Sequence, residues 1–297
     1  MRLDMAGRTP NEVFGVQRDM LERLSGNDGD LWLERYKRLH NGENPFVELT
    51  SNSAVTDGWK SELVAYAKRK LKKFSRGWAE QIMSIPDSWS PEFLANASSL
   101  GYKPVFIPET DIGEAFRHRK YIKPEDWYYT NIRNGNIKTE NPTNLREGWC
   151  LADSSQGVDY TDGSQVFPND PWEPMLTKLR VELKIVGRND KTADGSRFAI
   201  THDEWIQVVL AHWAGALMTT RAQTNLPTAI EWNFIGNVYF PHYGAYNMWT
   251  WFADRFGDAR RLVGGVRGRG GLAYVGCSWS GLRHDSICAR PLVSFAF

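Results

Sequence analysis

Residues 261–293 read RLVGGVRGRGGLAYVGCSWSGLRHDSICARPLV, and the rest of the chain is best understood outward from them. Short apolar runs at 262–263, 272–275 and from 291 onward are separated by Gly, Ser and Arg, a pattern of short strands joined by loops. Around this stretch the composition is unusual. The last 66 residues, 232–297, contain no Lys, Glu or Gln, although the preceding 231 carry 36 of them. An even spread would put about eight in this tail. Charge is not what is missing, because seven Arg and three Asp remain. Solubility would favour Lys and Glu on an exposed surface. A tail that keeps Arg, Tyr, Gly and Ser while losing those types therefore points to a binding surface written in a restricted alphabet.

The whole chain sets bounds on this reading. Its 297 residues suffice for one large domain or two ordinary ones, and 41% hydrophobic with 24% charged residues fits a soluble protein with a substantial core. Thirteen Trp suit an irregular, loop-rich interior. A net charge of +1 provides no general field for nucleic acid or a membrane surface. Cys150, Cys277 and Cys288 form no metal-type pair and no even disulfide framework, and spacing leaves open whether Cys277 and Cys288 pair. No membrane span and no secretory signal are expected, since no apolar run approaches ~20 residues and the amino terminus MRLDMAGRTP lacks an apolar segment. The compartment stays open: the cytoplasm, or display on a cell or virus surface through a partner.

The first hundred residues read as an N-terminal helical region. Thr9-Pro10-Asn11-Glu12 predicts a capped helix ending near Gly26, and 30–40 places Trp32, Tyr36 and Leu39 on one face before Gly42. Val64, Ala67, Leu71, Phe74, Trp78, Ile82 and Ile85 step by three and four, predicting a helix over 61–85 that Pro86 ends. Ser90-Pro91-Glu92 opens a short helix closed by Gly101. The basic run Lys68, Arg69, Lys70, Lys72, Lys73 and Arg76 reads first as a solvated helix face, so a nucleic-acid partner is not expected. Beyond Gly101 the chain changes character. Strands are expected at 105–107 and 181–186, with tight turns at 134–135, 162–163 and 194–195. Thr201-His202-Asp203-Glu204 is a capping box leading a helix over 205–217, and Ala245, Met248, Trp249, Phe252 and Phe256 predict another, stopped by Gly257. The fold class expected is α+β: two helices among short, mostly antiparallel strands over 101–297, preceded by the helical region 1–100.

Chemical motifs are few. His202, Asp203, Glu204 and His212 are the strongest metal candidates, yet His-Glu-x-x-His spacing is absent and the helix dipole alone accounts for Asp203 and Glu204. No metal and no cofactor are expected. The glycine-arginine run 264–271 lacks the Lys-Ser/Thr ending of a phosphate loop, and His284-Asp285 has no third partner for nucleophilic catalysis.

Three short motifs in fixed order resemble a known family. Gly236-Asn237-Val238, Arg261-Leu262-Val263-Gly264-Gly265 and Ala289-Arg290-Pro291-Leu292-Val293 are similar to the closing part of the formylglycine-generating-enzyme-like branch of the C-type lectin fold. Within that branch the tail resembles the variable proteins of diversity-generating retroelements. Their C-terminal codons are rewritten at adenines, mostly in AAC triplets, which cannot become Trp, Met, Lys, Glu or Gln. The resemblance implies a C-type lectin-like domain over 101–297 with a variable region about 236–290. Between Val266 and Cys288 only Trp279 belongs to the unreachable set, so it is expected as fixed scaffold with Trp249 and Arg290. The variable, ligand-contacting positions implied are Tyr239, His242, Val266, Arg267, Arg269, Gly276, Ser278, Ser280, Arg283, His284, Asp285 and Cys288.

The function this implies is non-enzymatic recognition of a protein or cell-surface ligand, with no oligomeric state specified. The rival is an enzyme of the formylglycine-generating or iron-dependent sulfoxide-synthase type. Formylglycine-generating enzymes need a reactive cysteine pair, and Cys277 and Cys288, the only tail candidates, stand where variable codons are expected. Replacing Arg267, Arg269 or Arg283 is expected to leave folding unchanged.

Overall fold

In the computed structural model, which describes residues 58–188 and 190–295, two four-stranded sheets share one aromatic core. These residues belong to a unit spanning Asp57–Phe297. In the first sheet, β1 (Tyr102–Ile107) pairs with β4 (Gly148–Asp153), β4 with β10 (Leu292–Phe295), and β10 with β5 (Thr224–Asn225), all antiparallel. A two-residue ladder, β2 (Thr110–Asp111) with β3 (Asn144–Leu145), lies between β1 and β4 in sequence. The second sheet has the order β8-β7-β6-β9, built from β6 (Trp249–Phe256), β7 (Arg260–Gly264), β8 (Val275–Trp279) and β9 (Ile287–Cys288). Its β6–β9 pairing is parallel and the others are antiparallel. The architecture is mixed α and β, as expected. Among the described residues no helix is long and apolar enough to cross a membrane.

Local chemistry sets most helix ends. Ser90 accepts from the Phe93 amide to start α3 (Pro91–Ser99), and Gly101 follows with φ +83°. Thr201 and Glu204 close a capping box on a segment that runs as an α-turn His202–Glu204, a π-turn Trp205–Val209 and the helix Leu210–Ala216, together α6. A second capping box, Thr228 with Glu231, starts α7 (Ala229–Val238). Nine of the ten α7 residues are buried, so this helix forms the centre of the core rather than a lid on it.

Several expectations are corrected. The run 245–256 is not a helix. Its apolar spacing belongs to β6, a strand buried on both faces around Trp251 and Phe252, with a register shift between Trp251 and Arg255 that breaks simple alternation. The stretch 181–186 is not a strand: α5 (Glu173–Val181) ends there, and Leu183 turns the chain at φ +55°. The helix expected over 61–85 is α1 (Gly58–Leu71) followed by α2 (Arg76–Glu80), because the Ser75 hydroxyl accepts from the Trp78 amide and begins a new helix. The run 272–275 is a 3₁₀ turn, Gly271–Ala273, leading into β8. Gly236-Asn237-Val238 is no separate turn but the end of α7, where the Asn237 side chain bonds Ile122 N–H and C=O. The helices expected at 9–26 and 30–40 lie outside the described residues.

Candidate functional site

Beneath the tail sits a buried ionic cluster that the sequence reading missed. Arg197 is fully buried and grips Asp170 through both oxygens (2.7 and 2.6 Å) and Asp153 through its other edge. Arg290, 2% exposed, donates to the Ser155 carbonyl at 2.7 Å and lies 3.7 Å from Asp153. Both guanidinium groups stack on Phe167, each 4.8 Å from its centroid, and Arg290 also faces Tyr243 at 4.9 Å. Burial works against ionisation of Asp153, but Arg197 and Arg290 outweigh it and hold the carboxyl below its ordinary range. Two arginines and two aspartates balance in charge, which is what a buried network requires.

The segment 265–274 leaves this platform as a loop. Gly264-Gly265 is required by space: a Cβ on Gly264 would meet the Tyr274 carbonyl at 2.3 Å, and Gly265 takes φ +90° with Trp232 2.6 Å from the position of its absent Cβ. Val266 is buried, whereas Arg267 and Arg269 are exposed. Arg267 donates its amide to Tyr246 C=O and pairs with Asp159 at 3.0 Å, both groups about half exposed. Arg269 bonds the Tyr274 hydroxyl at 3.2 Å and lies over Trp249, 5.4 Å from the ring. Trp249 meets Tyr274 edge-on at 5.1 Å and so supports this loop from below.

The segment 283–290 is held differently. Arg283 makes a two-pronged ion pair with Glu204 (2.8 and 2.7 Å) and also donates to the carbonyls of Val186 and Ala199. Although burial opposes it, Arg283 keeps the Glu204 carboxyl below its usual range. The His284 Nδ1 accepts from the Ser286 amide and hydroxyl, and burial lowers its pKa. Asp285 is buried, pairs with Arg188 at 2.8 Å and accepts Gln165 Nε2 on its backbone carbonyl. On β8, Gly276 and Ser278 are half-buried, while Trp279 is 55% exposed with Arg260 4.6 Å above its ring. Ser280 is half-buried and donates to Asp203 at 3.0 Å.

The twelve ligand positions therefore divide. Tyr239, Val266, Asp285 and Cys288 are core residues: Tyr239 is 2% exposed, and its hydroxyl bridges the Phe106 N–H and C=O. His242 is half-buried with Nε2 donating to Ser155 C=O, and burial, followed by Arg290, lowers its pKa to about 4. Among the described residues, Arg267 and Arg269 make no hydrogen bond or ion pair with Arg283 or His284. They share a neighbour instead. Residues 154–165 supply Asp159 to Arg267, Tyr160 N–H to Asn247 and Gln165 to Asp285, so one loop borders both groups. Its turn signal at 162–163 was readable, but its partners were not.

The metal candidates do not converge, for among the described residues no three His, Cys, Asp or Glu side chains lie together suitably for a metal. His202 is buried with Asp203 3.8 Å from its Nδ1, and burial, then Arg261, lowers its pKa to about 4. His212 Nδ1 turns back onto Val208 C=O, and Glu204 is committed to its cap and to Arg283. The three cysteines are free, and burial raises Cys288 to about 11. The basic residues Lys68 and Arg69 on α1, Lys72 and Lys73 in the turn after it, and Arg76 on α2 are exposed. Compared with known proteins, the chain matches no family model, no curated protein and no solved structure.

Proposed function

We propose that this chain is a non-enzymatic ligand-binding protein of the diversity-generating-retroelement kind, carried on a C-type lectin-like fold. One observation carries the reading. In a tail devoid of Lys, Glu and Gln, Arg267 and Arg269 stand exposed, Arg269 over an aromatic floor of Trp249 and Tyr274 and Arg267 beside it on Asp159. That alphabet suits recognition: Arg provides fork-shaped donors and stacking, Tyr provides area at low entropic cost, and Gly and Ser adapt. Flexible, strongly hydrated Lys and Glu are depleted in interface cores.

The contact surface in this reading is Arg267, Arg269, Gly276, Ser278, Ser280 and the exposed edge of His284, with Trp279 as a fixed exposed ring. Tyr239, Val266, Asp285 and Cys288 fall out of it by burial. The high pKa of Cys288 also weighs against thiolate chemistry at that position. The ligand is a protein or cell-surface molecule. The test is genomic. A near-copy of the 3′ coding end, differing chiefly at adenines and lying beside a reverse transcriptase, is the expected finding. A locus whose tail has no such copy, or a copy differing equally at all four bases, overturns the reading.

A further inference from the structure

Strand β8 is the outer strand of the second sheet, paired with β7 on one side and, among the described residues, with no strand on the other. Two bonds at its ends fix the direction of its backbone groups. Gly265 N–H donates to Tyr274 C=O and Ser280 N–H to Ala259 C=O, so Gly276 and Ser278 turn their backbone groups toward β7. Those of Val275, Cys277 and Trp279 point outward. The ends of this outward row are already met: Val275 N–H by the Glu125 carboxylate, and Trp279 C=O by Leu282 N–H. Between them, Val275 C=O, both groups of Cys277 and Trp279 N–H have no hydrogen-bond partner among the described residues. Open edges are normally blunted by Lys, Pro or a bulge. The sequence of β8, VGCSW, has neither residue, and its register against β7 is unbroken.

A second observation lies on the sheet face beside this edge. Phe256 on β6, Arg260 on β7 and Trp279 on β8 are register partners and form one row across the strands. Trp127 stacks on Phe256 at 5.5 Å, and Arg260 lies over the Trp279 ring at 4.6 Å. Arg260 is exposed, makes no ion pair among the described residues and reaches only the Cys277 sulfur, at 3.9 Å. An uncompensated guanidinium and an exposed indole, residue types that dominate binding hot spots, thus stand beside unpaired backbone.

We propose that an extended acidic segment of a protein partner docks on this edge, adding a strand to β8 and setting a carboxylate on Arg260. This names the form of the partner at the contact surface proposed above and rests on that reading. Backbone pairing supplies affinity, and the alternate side chains that face Arg260 and Trp279 supply specificity. A second copy of this chain is a poorer occupant, because β8 carries no carboxylate to meet Arg260.

An amide-resolved NMR titration of the full chain with an acetylated, amidated hexapeptide of alternating Glu and Thr tests this. Shifts should concentrate in the amides of residues 275–280 and the Trp279 indole. The same peptide N-methylated at every amide should bind at least about tenfold more weakly, since it cannot pair with the edge. In R260E the preference should reverse toward a Lys-Thr peptide. C277P, whose lost N–H points outward, should keep its circular dichroism and stop binding. Should C277P not fold, R260E and the methylated peptide decide alone. The proposal is overturned by no shift at millimolar peptide, by equal binding of the methylated peptide, or by an unreversed preference in R260E. Light scattering that shows dimers joined through β8 overturns it too. A silent titration beside a mutagenised near-copy at the locus removes this inference and leaves the earlier reading in place.

Discussion

The loop 266–271 and the segment 283–290 are written in the same restricted alphabet, yet they are anchored in opposite ways. In the loop, only Val266 and Gly271 at its two ends are buried, and the arginines reach outward to Asp159, Tyr274 and the face of Trp249. In the later segment, Arg283 is tied to one carboxylate and two backbone carbonyls, Asp285 is enclosed, and Arg290 belongs to the ionic cluster. Composition says which residues are allowed in the tail. Burial decides which of them can change. An arginine here is a surface contact at 267 and 269, a clasp at 283 and a core residue at 290.

That contrast should break first at the buried cluster. Replacing Arg197 or Arg290 with Ala leaves Asp153 buried with half of its compensation and should cost on the order of 3–5 kcal/mol, with Arg197 the worse of the two. Urea denaturation, or simple loss of soluble protein, reads this out. Next comes Arg283→Ala. It strips charge-assisted bonds from Glu204 and from two carbonyls, so a loss of about 2–3 kcal/mol is expected, against the sequence-based expectation that this position is neutral. Glu204→Gln should lose less, because its amide oxygen still caps α6.

A pH dependence sharpens the comparison further. His242 lies under the platform with a pKa lowered from 6.5 to about 4. A lowered histidine contributes stability that is complete above about pH 6.5 and is lost as pH falls toward 4. Asp254, raised by burial to about 6, acts in the opposite sense, its contribution fading as pH rises from about 4 through 6. The melting temperature of His242→Gln should therefore fall less steeply than that of the unaltered chain between pH 6.5 and 4. The smallest effect belongs to the loop: Arg267→Ala and Arg269→Ala should each shift stability by no more than about 0.5 kcal/mol, since their pairs are exposed.

Parts of this were legible in the residues. Ser90-Pro91, the Thr201–Glu204 box and the run at 105–107 name their elements, because caps and β-branched clusters act locally. The segment β6 misled because it is buried on both faces, so its apolar positions match a helical spacing as readily as a strand. The helix α7 gave no amphipathic stripe for the same reason, although Thr228 and Glu231 spell a capping box that was there to be read. At the candidate site, exposure of Arg267 and Arg269 agrees with their loop setting. The burial of Tyr239 depends on β1, 133 residues earlier, and that of Cys288 on its pairing with β6, neither of which shows in the residues around those positions. The clasp on Arg283 likewise comes from Glu204, 79 residues earlier.

The most direct test of the account is a saturation library at Arg267, Arg269, Ser278, Arg283, Asp285 and Arg290, scored for folded protein by protease resistance. Nearly all substitutions at Arg267, Arg269 and Ser278 should stay folded, while those at Arg283, Asp285 and Arg290 should be depleted. Equal depletion across all six positions would mean that the exposed loop is structural as well, and the idea of an interchangeable patch on a fixed platform would be contradicted.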